Sequence, residues 1–501
     1  MAEVLLTHSY HLPYDRKQLQ KMQPYPPLGT LYAASMLRSQ GISVAVFDTM
    51  LQNPISGFPE SLRQHRPKFV AIYEDDFNFL SKMCLTRMRE VAWQMTASAR
   101  AAGAIVIAHG SDATDQLEDY LRHGANFVLL GEAETTLSEL CAALLASRDT
   151  SNISGLAWLD SASNVVCKSE RAAKAAPWIS LPKPARDLID MEPYRRAWAL
   201  SQKAFSLNLV ASRGCPYRCN WCAKPISGDR FQLRSAESVA DEMCELKEVY
   251  GAEHVWFGDD VFALNHHWTQ QFAREMERRG CSLPFKIQAR ADLMTTETVG
   301  ALKRAGCAEI WMGVESGSQK ILDAMDKGLR VAEVATSRER LRKAGIRACY
   351  FLQFGYPGEG WNEIQQTVNL VRTTRPDDIG VSLSYPLPNT LFYERIKAEL
   401  GDKRNWTDSA DLCVMFKAAY NDEFYRAVRN ALHAEVDSWR TPRSSSKTHL
   451  QVNTLWQQVA QLEAISRNAD ATSFCAEEPV PSTDSQFVPI QSLSVRGGVD
   501  A

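Results

Sequence analysis

Twice along this chain, short apolar runs rich in β-branched residues alternate with stretches of helical periodicity, and that alternation limits the fold more than any other feature. The first series comprises "EVLLTH" near residue 3, "SVAVFD" near 43, "FVAIYED" near 69, "AIVIAHG" near 104 and "FVLLGE" near 127. Strands separated by helices of a dozen or more residues pair as parallel neighbours, with the helices covering the sheet. Residues 1–150 are therefore expected to form an α/β, doubly wound parallel sheet. Ligands of such sheets bind beyond the carboxyl ends of the strands, which singles out the loops "YEDDFNF", "HGSDAT" and "GEAET".

A second series begins with "FSLNLVAS" and continues through "EHVWFGD", "FKIQAR", "EIWMGVES", "ACYFLQFG" and "IGVSLSY". Six such units are too few for a closed eight-unit barrel, so a partial (β/α)6 barrel is expected over residues 201–390, with its active site at the carboxyl ends of the strands. Residues 151–200 read as a linker, with a possible hairpin in "NISGLAWLDSASNVV". Residues 391–470 read as helical from the amphipathic spacing in "NDEFYRAVRNALHAEVDSW", and residues 471–501, mixing Pro, Ser and Gly without periodicity, as a disordered tail. A chain of 501 residues is also longer than one hydrophobic core sustains.

The charge balance excludes little but favours some partners over others. With a net charge of -3, nothing electrostatic calls for nucleic acid, so no nucleic-acid partner is expected. No apolar run approaches the roughly 20 residues of a membrane span, and "EVLL" follows Met1 without the basic segment of a signal peptide, so a cytoplasmic location is expected. Nine of the 12 cysteines stand singly and are expected to be reduced and packed as small hydrophobes.

The other three, Cys215, Cys219 and Cys222, share the loop "RGCPYRCNWCAKP" at 213–225. A structural zinc closes four ligands, commonly from two pairs, and no second pair of that form is present. The "CNWC" spacing of a redox pair follows a third cysteine, with no thioredoxin-sized unit around it. Three thiolates instead suit an iron–sulfur cluster in which one iron keeps an open position.

C-x3-C-x2-C with Trp221 before the last cysteine, after the first strand of such a barrel, resembles the radical S-adenosylmethionine (SAM) superfamily. "WFGDDVF", "QARADL", "GVESGSQKILDAMDKG" and "FLQFGYPGE" resemble its later strand ends, in the same order. The resemblance implies a [4Fe-4S] cluster on Cys215, Cys219 and Cys222, which are then the catalytic and metal-binding residues. It also implies S-adenosylmethionine contacts from Trp221, Gly258, Asp259, Arg290, Glu315, Ser316 and Gln353. On that reading the carboxylates accept hydrogen bonds from the cofactor's amine and ribose, and Arg290 offers a fork to its carboxylate.

The first 150 residues lack the Gly-x-Gly-x-x-Gly of a dinucleotide site. "PPLGTLYAASMLRSQGISVAVFD", "GSDAT" and "GEAETTLSEL" instead resemble the cobalamin-binding domain that precedes many radical SAM barrels. Gly29, Gly110, Ser111, Gly131, Glu132 and Glu134 are then the expected cobalamin-binding residues. There is no Asp-x-His-x-x-Gly to give cobalt a histidine, and Tyr73, Glu74 or a water is expected near its lower face. Only Cys84 and Cys141 occur in this region, too few for the second cluster of transfer-RNA methylthiolating relatives.

The combined resemblance implies a cobalamin-dependent radical enzyme that cleaves S-adenosylmethionine to a deoxyadenosyl radical and methylates an unactivated carbon of a small-molecule substrate, drawing electrons from a donor such as flavodoxin or ferredoxin. The same motifs also resemble the anaerobic magnesium-protoporphyrin monomethyl ester cyclase group, which implies oxidative cyclisation as the alternative outcome. A cobalamin sensor or a simple electron carrier would be the non-enzymatic readings.

Overall fold

The computed structural model describes residues 2–160, 163–170, 181–440 and 446–466. The tail expected at 471–501 lies outside the described residues. Each of the five early apolar runs forms a strand: β1 (Val4–Thr7), β2 (Val44–Phe47), β3 (Phe69–Tyr73), β4 (Ile105–His109) and β5 (Phe127–Leu129). They pair in parallel in the order β2-β1-β3-β4-β5. Every residue of β1 and β3 is buried, as continuous apolar strands must be when helices cover both faces. One face packs Ala33, Leu37, Leu137 and Leu140; the other packs Phe58, Leu62, Val91 and Met95.

The sheet does not stop at residue 150. The hairpin of β6 (Leu156–Leu159) and β7 (Val166–Lys168) adds two antiparallel strands beside β5, so the segment read as a linker extends the first sheet.

The second sheet opens with β8 (Ser206–Leu209). Next, β9 (Ser212–Arg213) and β10 (Gln232–Leu233) pair antiparallel, closing off the cysteine loop between them. The remaining strands are β11 (His254–Phe257), β12 (Phe285–Ala289), β13 (Cys307–Glu315), β14 (Arg347–Phe354) and β15 (Asp378–Leu383). Six parallel strands run in the order β8-β11-β12-β13-β14-β15, with β8 and β15 as unpaired edges. Along β12 burial alternates, and the half-buried Lys286 and Gln288 face an internal cavity. The helix Asp422–Ser438, capped by Asn421 through Phe424 N, and the helix Ser446–Ser466 follow this sheet.

Each sheet packs its own hydrophobic core, and buried polar contacts join the two. Between β1 and the helix Leu28–Ser39, Pro24 O accepts from Trp198 Nε1 at 2.8 Å and Pro26 O from Asn208 Nδ2 at 2.8 Å. The buried Glu242 carboxylate is held by Arg186 at 2.9 Å and Arg234 at 2.7 Å.

The expectation that all singly spaced cysteines are reduced is corrected here. Cys244, in the helix Ala236–Glu248, is disulfide-bonded to Cys281 just before β12, with a Cα–Cα distance of 5.4 Å, and Cys413 is also disulfide-bonded. Neighbouring βα units bring together positions 37 residues apart, a proximity that spacing along the chain does not display. Among the described residues, no helix is long and apolar enough to cross a membrane.

Candidate active site

A cavity of about 1620 Å³ opens between the carboxyl ends of the two sheets and continues along the inner face of the second. A pocket for one drug-sized ligand typically measures about 300–1,000 Å³, so this space suits something larger than one such ligand. Its walls come from the cysteine loop, the interior of the second sheet, and the loop after β3.

The cysteine loop is fixed by the backbone around it. Gly214 has φ +80, and a Cβ there would lie 2.2 Å from Arg230 O, so the turn into the loop demands glycine. Lys224 Nζ donates to Cys215 O at 3.0 Å and Tyr217 O at 2.6 Å, and also pairs with Asp229. Between Cys219 and Trp221, Asn220 donates through Nδ2 to Ala324 O at 2.7 Å and accepts from Tyr356 Oη at 2.8 Å. Cys215, Cys219 and Cys222 are all free and all line the cavity. Among the described residues, no three His, Cys, Asp or Glu side chains converge tightly enough to hold a single metal ion.

The residues expected at the strand ends divide into two groups. Trp221, Gly258, Arg290, Glu315 and Gln353 line the cavity. Glu315 ends β13 at φ +62, a sparsely populated conformation for a residue with a side chain, and accepts from Lys327 Nζ at 2.8 Å. Both side chains of that pair are buried, and the Lys327 ammonium stands 6.0 Å from the Trp221 ring centroid. Gln353 Nε2 donates to Ser384 Oγ at 3.0 Å.

Arg290 borders the cavity but has its fork engaged. It contacts Asp292, donates to Lys327 O at 2.8 Å and Gly328 O at 2.9 Å, and lies 3.9 Å over the Tyr217 ring. It braces the cysteine loop rather than offering a free fork to a carboxylate. Asp259 and Ser316 do not line the cavity and are bonded to the protein instead. Asp259 accepts from Ser212 N at 2.5 Å and Ala211 N at 3.1 Å, and burial pushes its carboxyl up to about 7 against the pull of those donors. Ser316 Oγ meets Thr367 Oγ1 at 3.2 Å and accepts from Ser318 N. The neighbour Asp260 is the carboxylate that lines the cavity, paired with Lys82 at 2.5 Å.

Of the residues expected to bind cobalamin, Ser111 lines the cavity, whereas Gly29, Gly110, Gly131, Glu132 and Glu134 do not. Those five instead build its frame. Gly29 N donates to Asp75 Oδ1 at 2.9 Å, and a Cβ on Gly29 would lie 3.1 Å from Asp76 N. Gly110, at φ +136, sits where a Cβ would come within 2.8 Å of Glu74 Cβ. Gly131 O accepts from His109 Nε2 at 2.8 Å. Glu132 accepts from Gln232 on β10 at 3.0 Å, and Glu134 binds Arg213 on β9 at 2.5 and 3.2 Å. The two acids therefore grip both ends of the cysteine loop.

Tyr73 and Glu74, expected near the cobalt face, are buried away from the cavity. Tyr73 stacks on His109 at 4.0 Å; Glu74 accepts from Ser9 N at 2.9 Å, and burial pushes its carboxyl up to about 7. The cavity face of this loop is formed instead by Asp76, Phe77, Asn78, Phe79 and Leu80. The sequence reading also missed Lys82, Lys224 and Lys327; the local signals available were the closeness of Lys224 to the cysteines and the place of Lys327 within "GVESGSQKILDAMDKG".

Residues 209–371 match the sequence profile of the Radical SAM superfamily. Over 374 residues the chain is 25% identical to an uncharacterized methyltransferase of Pyrococcus horikoshii, covering 74% of this chain and 78% of that protein. Solved structures share the fold. The radical S-adenosylmethionine methyltransferase TsrM from Kitasatospora setae, solved with cobalamin and a [4Fe-4S] cluster, superposes with a TM-score of 0.67 at 19% identity, over 79% of this chain and 75% of that one. The cobalamin-dependent S-adenosylmethionine radical enzyme OxsB, solved with aqua-cobalamin and S-adenosylmethionine, gives 0.69 at 15% identity, over 93% of this chain and 72% of that one.

Proposed function

The chain carries a radical SAM domain at residues 209–371, which makes it an enzyme of the radical SAM class, and on that premise we propose that it is a cobalamin-dependent methyltransferase acting on an unactivated carbon of a small molecule. The observation that carries this reading is the opposition, across one cavity, of three free thiols and the Asp76–Leu80 loop of the first sheet. The parallel strands of both sheets end at this cavity, where ligands of such sheets bind.

The residues present fit the proposed groups. Thiolates around a single tetrahedral zinc, bonded at about 2.3 Å, must crowd together; a cuboidal cluster holds them further apart, on one wall, as three thiols in a single loop are suited to do. Cys215, Cys219 and Cys222 would hold such a cluster, and with no fourth thiol in the loop a chelating amine and carboxylate would be free to complete it. Trp221 Nε1 is buried at the cavity edge without a hydrogen-bond partner among the described residues, and a polar ligand would satisfy it. The apolar Phe77, Phe79 and Leu80 present a surface for a flat macrocycle, with no histidine among them.

When bound, the cluster and S-adenosylmethionine would supply the hydrogen-abstracting radical, and cobalamin the methyl group. The chain's own part is to bind, orient and exclude water. Lys224, Asn220 and Arg290 fix the thiol loop, the Glu315–Lys327 pair offers charge beside Trp221, and the Lys82–Asp260 pair joins the two sheets at the cavity wall. An external reductant of the flavodoxin or ferredoxin kind supplies the electron.

The test is anaerobic reconstitution with iron, sulfide and cobalamin, followed by reduction in the presence of S-adenosylmethionine. Wild-type protein should form deoxyadenosine, and Cys219→Ala should form none while retaining bound cobalamin. Undiminished deoxyadenosine from that variant would overturn the assignment. Mass spectrometry of the substrate then separates the two outcomes, because methyl transfer adds one CH₂ whereas oxidative cyclisation adds oxygen or removes hydrogen.

A further inference from the structure

The cavity does not end at the thiols. It runs down the inside of the second sheet to the amino ends of the strands, where Lys286 of β12, Glu309 of β13, Arg347 of β14 and Asp378 of β15 line it. Lys286 lies four residues before Arg290, so the two ends of this strand's inner face are about 13 Å apart at the ordinary rise of a strand. Between them the bore is aromatic, lined by Trp256, Trp311 and Phe351, with Tyr25 beside Trp256 at 4.7 Å.

Charge at this far end is unbalanced. The acids are engaged: Glu309 binds Arg347 at 2.8 Å and accepts from Trp311 Nε1 at 2.7 Å, while Asp378 and Asp437 bind Arg440 at 2.7 and 3.3 Å. Lys17, Lys21, Lys203, Lys286 and Arg429 also line the cavity, and none forms an ion pair among the described residues. Lys286 Nζ lies inside the bore, 5.5 Å from the Tyr25 ring centroid and 5.7 Å from that of Trp256. Burial, then the neighbouring Lys21 and Arg429, push the Lys17 ammonium down to about 8, and burial followed by Lys286 pushes the His254 imidazole down to about 4. Cations gathered at this end of the aromatic channel outnumber the acids beside them, Glu309, Asp378 and Asp437 with Asp15 and Asp408 near Lys17, and leave an attraction for an anion.

We propose that the amino-terminal end of the second sheet binds the phosphate or carboxylate of an elongated substrate, whose apolar body fills the aromatic bore and whose reacting carbon reaches the thiol end. This rests on the cavity being the catalytic chamber, and it adds the substrate's class: an amphiphile with its anionic group about 13 Å from the carbon that reacts.

The test reads binding without turnover, so it is independent of the deoxyadenosine assay. Octyl phosphate, octanoate and octanol are titrated into the full chain by calorimetry. One of the two anions should bind at least about tenfold more tightly than octanol, and which one does so identifies phosphate or carboxylate as the preferred group. Lys286→Gln, and Arg429→Gln as a second variant should the first fail to fold, should remove most of that preference while leaving octanol affinity unchanged. Added salt should weaken the anion alone. Equal affinity for octanol and both anions, or an equal loss for octanol in the folded variant, would overturn the proposal. Cys219→Ala should bind octyl phosphate as wild type does, so a failure of the anion site and a failure of the thiol assignment register in different experiments.

Discussion

Replacing Glu134 by Gln tests whether the first sheet physically holds the cysteine loop. Glu134 begins the helix Glu134–Leu145, and its partner Arg213 belongs to β9, from which the loop departs. The two side chains are 4% and 6% exposed, so the pair belongs with buried ion pairs and not with surface ones, which contribute about 0–1 kcal/mol. Removing one partner of a buried pair leaves an uncompensated charge and costs about 3–5 kcal/mol. Glutamine can still accept one hydrogen bond, which places the expected loss near the lower end, about 3 kcal/mol. For a cooperative unit of 150–250 residues this lowers Tm by roughly 6–12 °C. Burial pushes the Glu134 carboxyl upward, but the Arg213 guanidinium outweighs it and holds the carboxyl below its ordinary 4.5. Its contribution is therefore fully present above that value and is lost as pH falls through the lower folded value. The Tm gap between wild type and Glu134→Gln should accordingly close in acid. Calorimetric melts at pH 7 and below, with iron content after reconstitution, measure both consequences. The double variant Glu134→Leu/Arg213→Met should recover much of the loss, because no charge is then stranded. A single variant melting within about 1 °C of wild type, or a double variant as costly as the sum of the two singles, would refute the reasoning.

Two further outcomes follow from single side chains. Lys224→Met removes the donors to Cys215 O and Tyr217 O; at about 2 kcal/mol for hydrogen bonds from a charged group, cluster affinity should fall roughly 30-fold, read as iron per chain at limiting iron, with unchanged far-ultraviolet dichroism. Glu359 accepts from Gly355 N while its Oε1 has no hydrogen-bond partner among the described residues, and burial pushes its carboxyl up to about 8 from 4.5. A raised acid favours the fold below 4.5 and loses that advantage as pH climbs through 8, by about 1.4 kcal/mol for each pH unit across the window. Glu359→Gln should flatten this decline in denaturant titrations between pH 5 and 9, and an unchanged slope would refute the assignment.

The strands were legible because each is a short apolar run whose period and length admit few alternatives. The cysteine loop was legible because its chemistry lies within eight consecutive residues. What escaped the sequence was direction and distance. In "DD" at 259–260 the two carboxylates leave a strand end toward opposite sides, Asp259 into the backbone of β9 and Asp260 into the cavity. The sequence offers two identical letters, and the outward one was passed over. Lys327 meets Glu315 across 12 residues and Arg213 meets Glu134 across 79. The first pair lies within one βα unit and the second spans the two sheets, and neither is spaced as neighbours on a single helix or strand are.

The first-domain motif builds a frame whose contacts are made within the protein. Gly29 and Gly110 are among the residues expected to bind cobalamin, and what they approach in the structure is one protein loop. Gly29 N donates to Asp75 Oδ1, Thr30 Oγ1 donates to Tyr73 O at 2.6 Å, and Gly110 leaves room for the Glu74 side chain. His109, held by Gly131 O, stacks on Tyr73. These contacts pin residues 73–75 from several sides, and what a pinned base buys is the projection of the next five residues into the cavity. Phe77 then lies against the machinery of the other sheet: its ring is 5.1 Å from the Arg213 guanidinium, and its carbonyl would be 3.4 Å from a Cβ on Gly258. The glycines and acids of the motif thus fix the spacing between the loop after β3 and the thiols, while the side chains that line the cavity there, such as Asn78 and Phe79, lie outside the motif. Such a frame lets the side chains on the cavity face vary without disturbing the spacing that holds the thiols opposite the loop after β3.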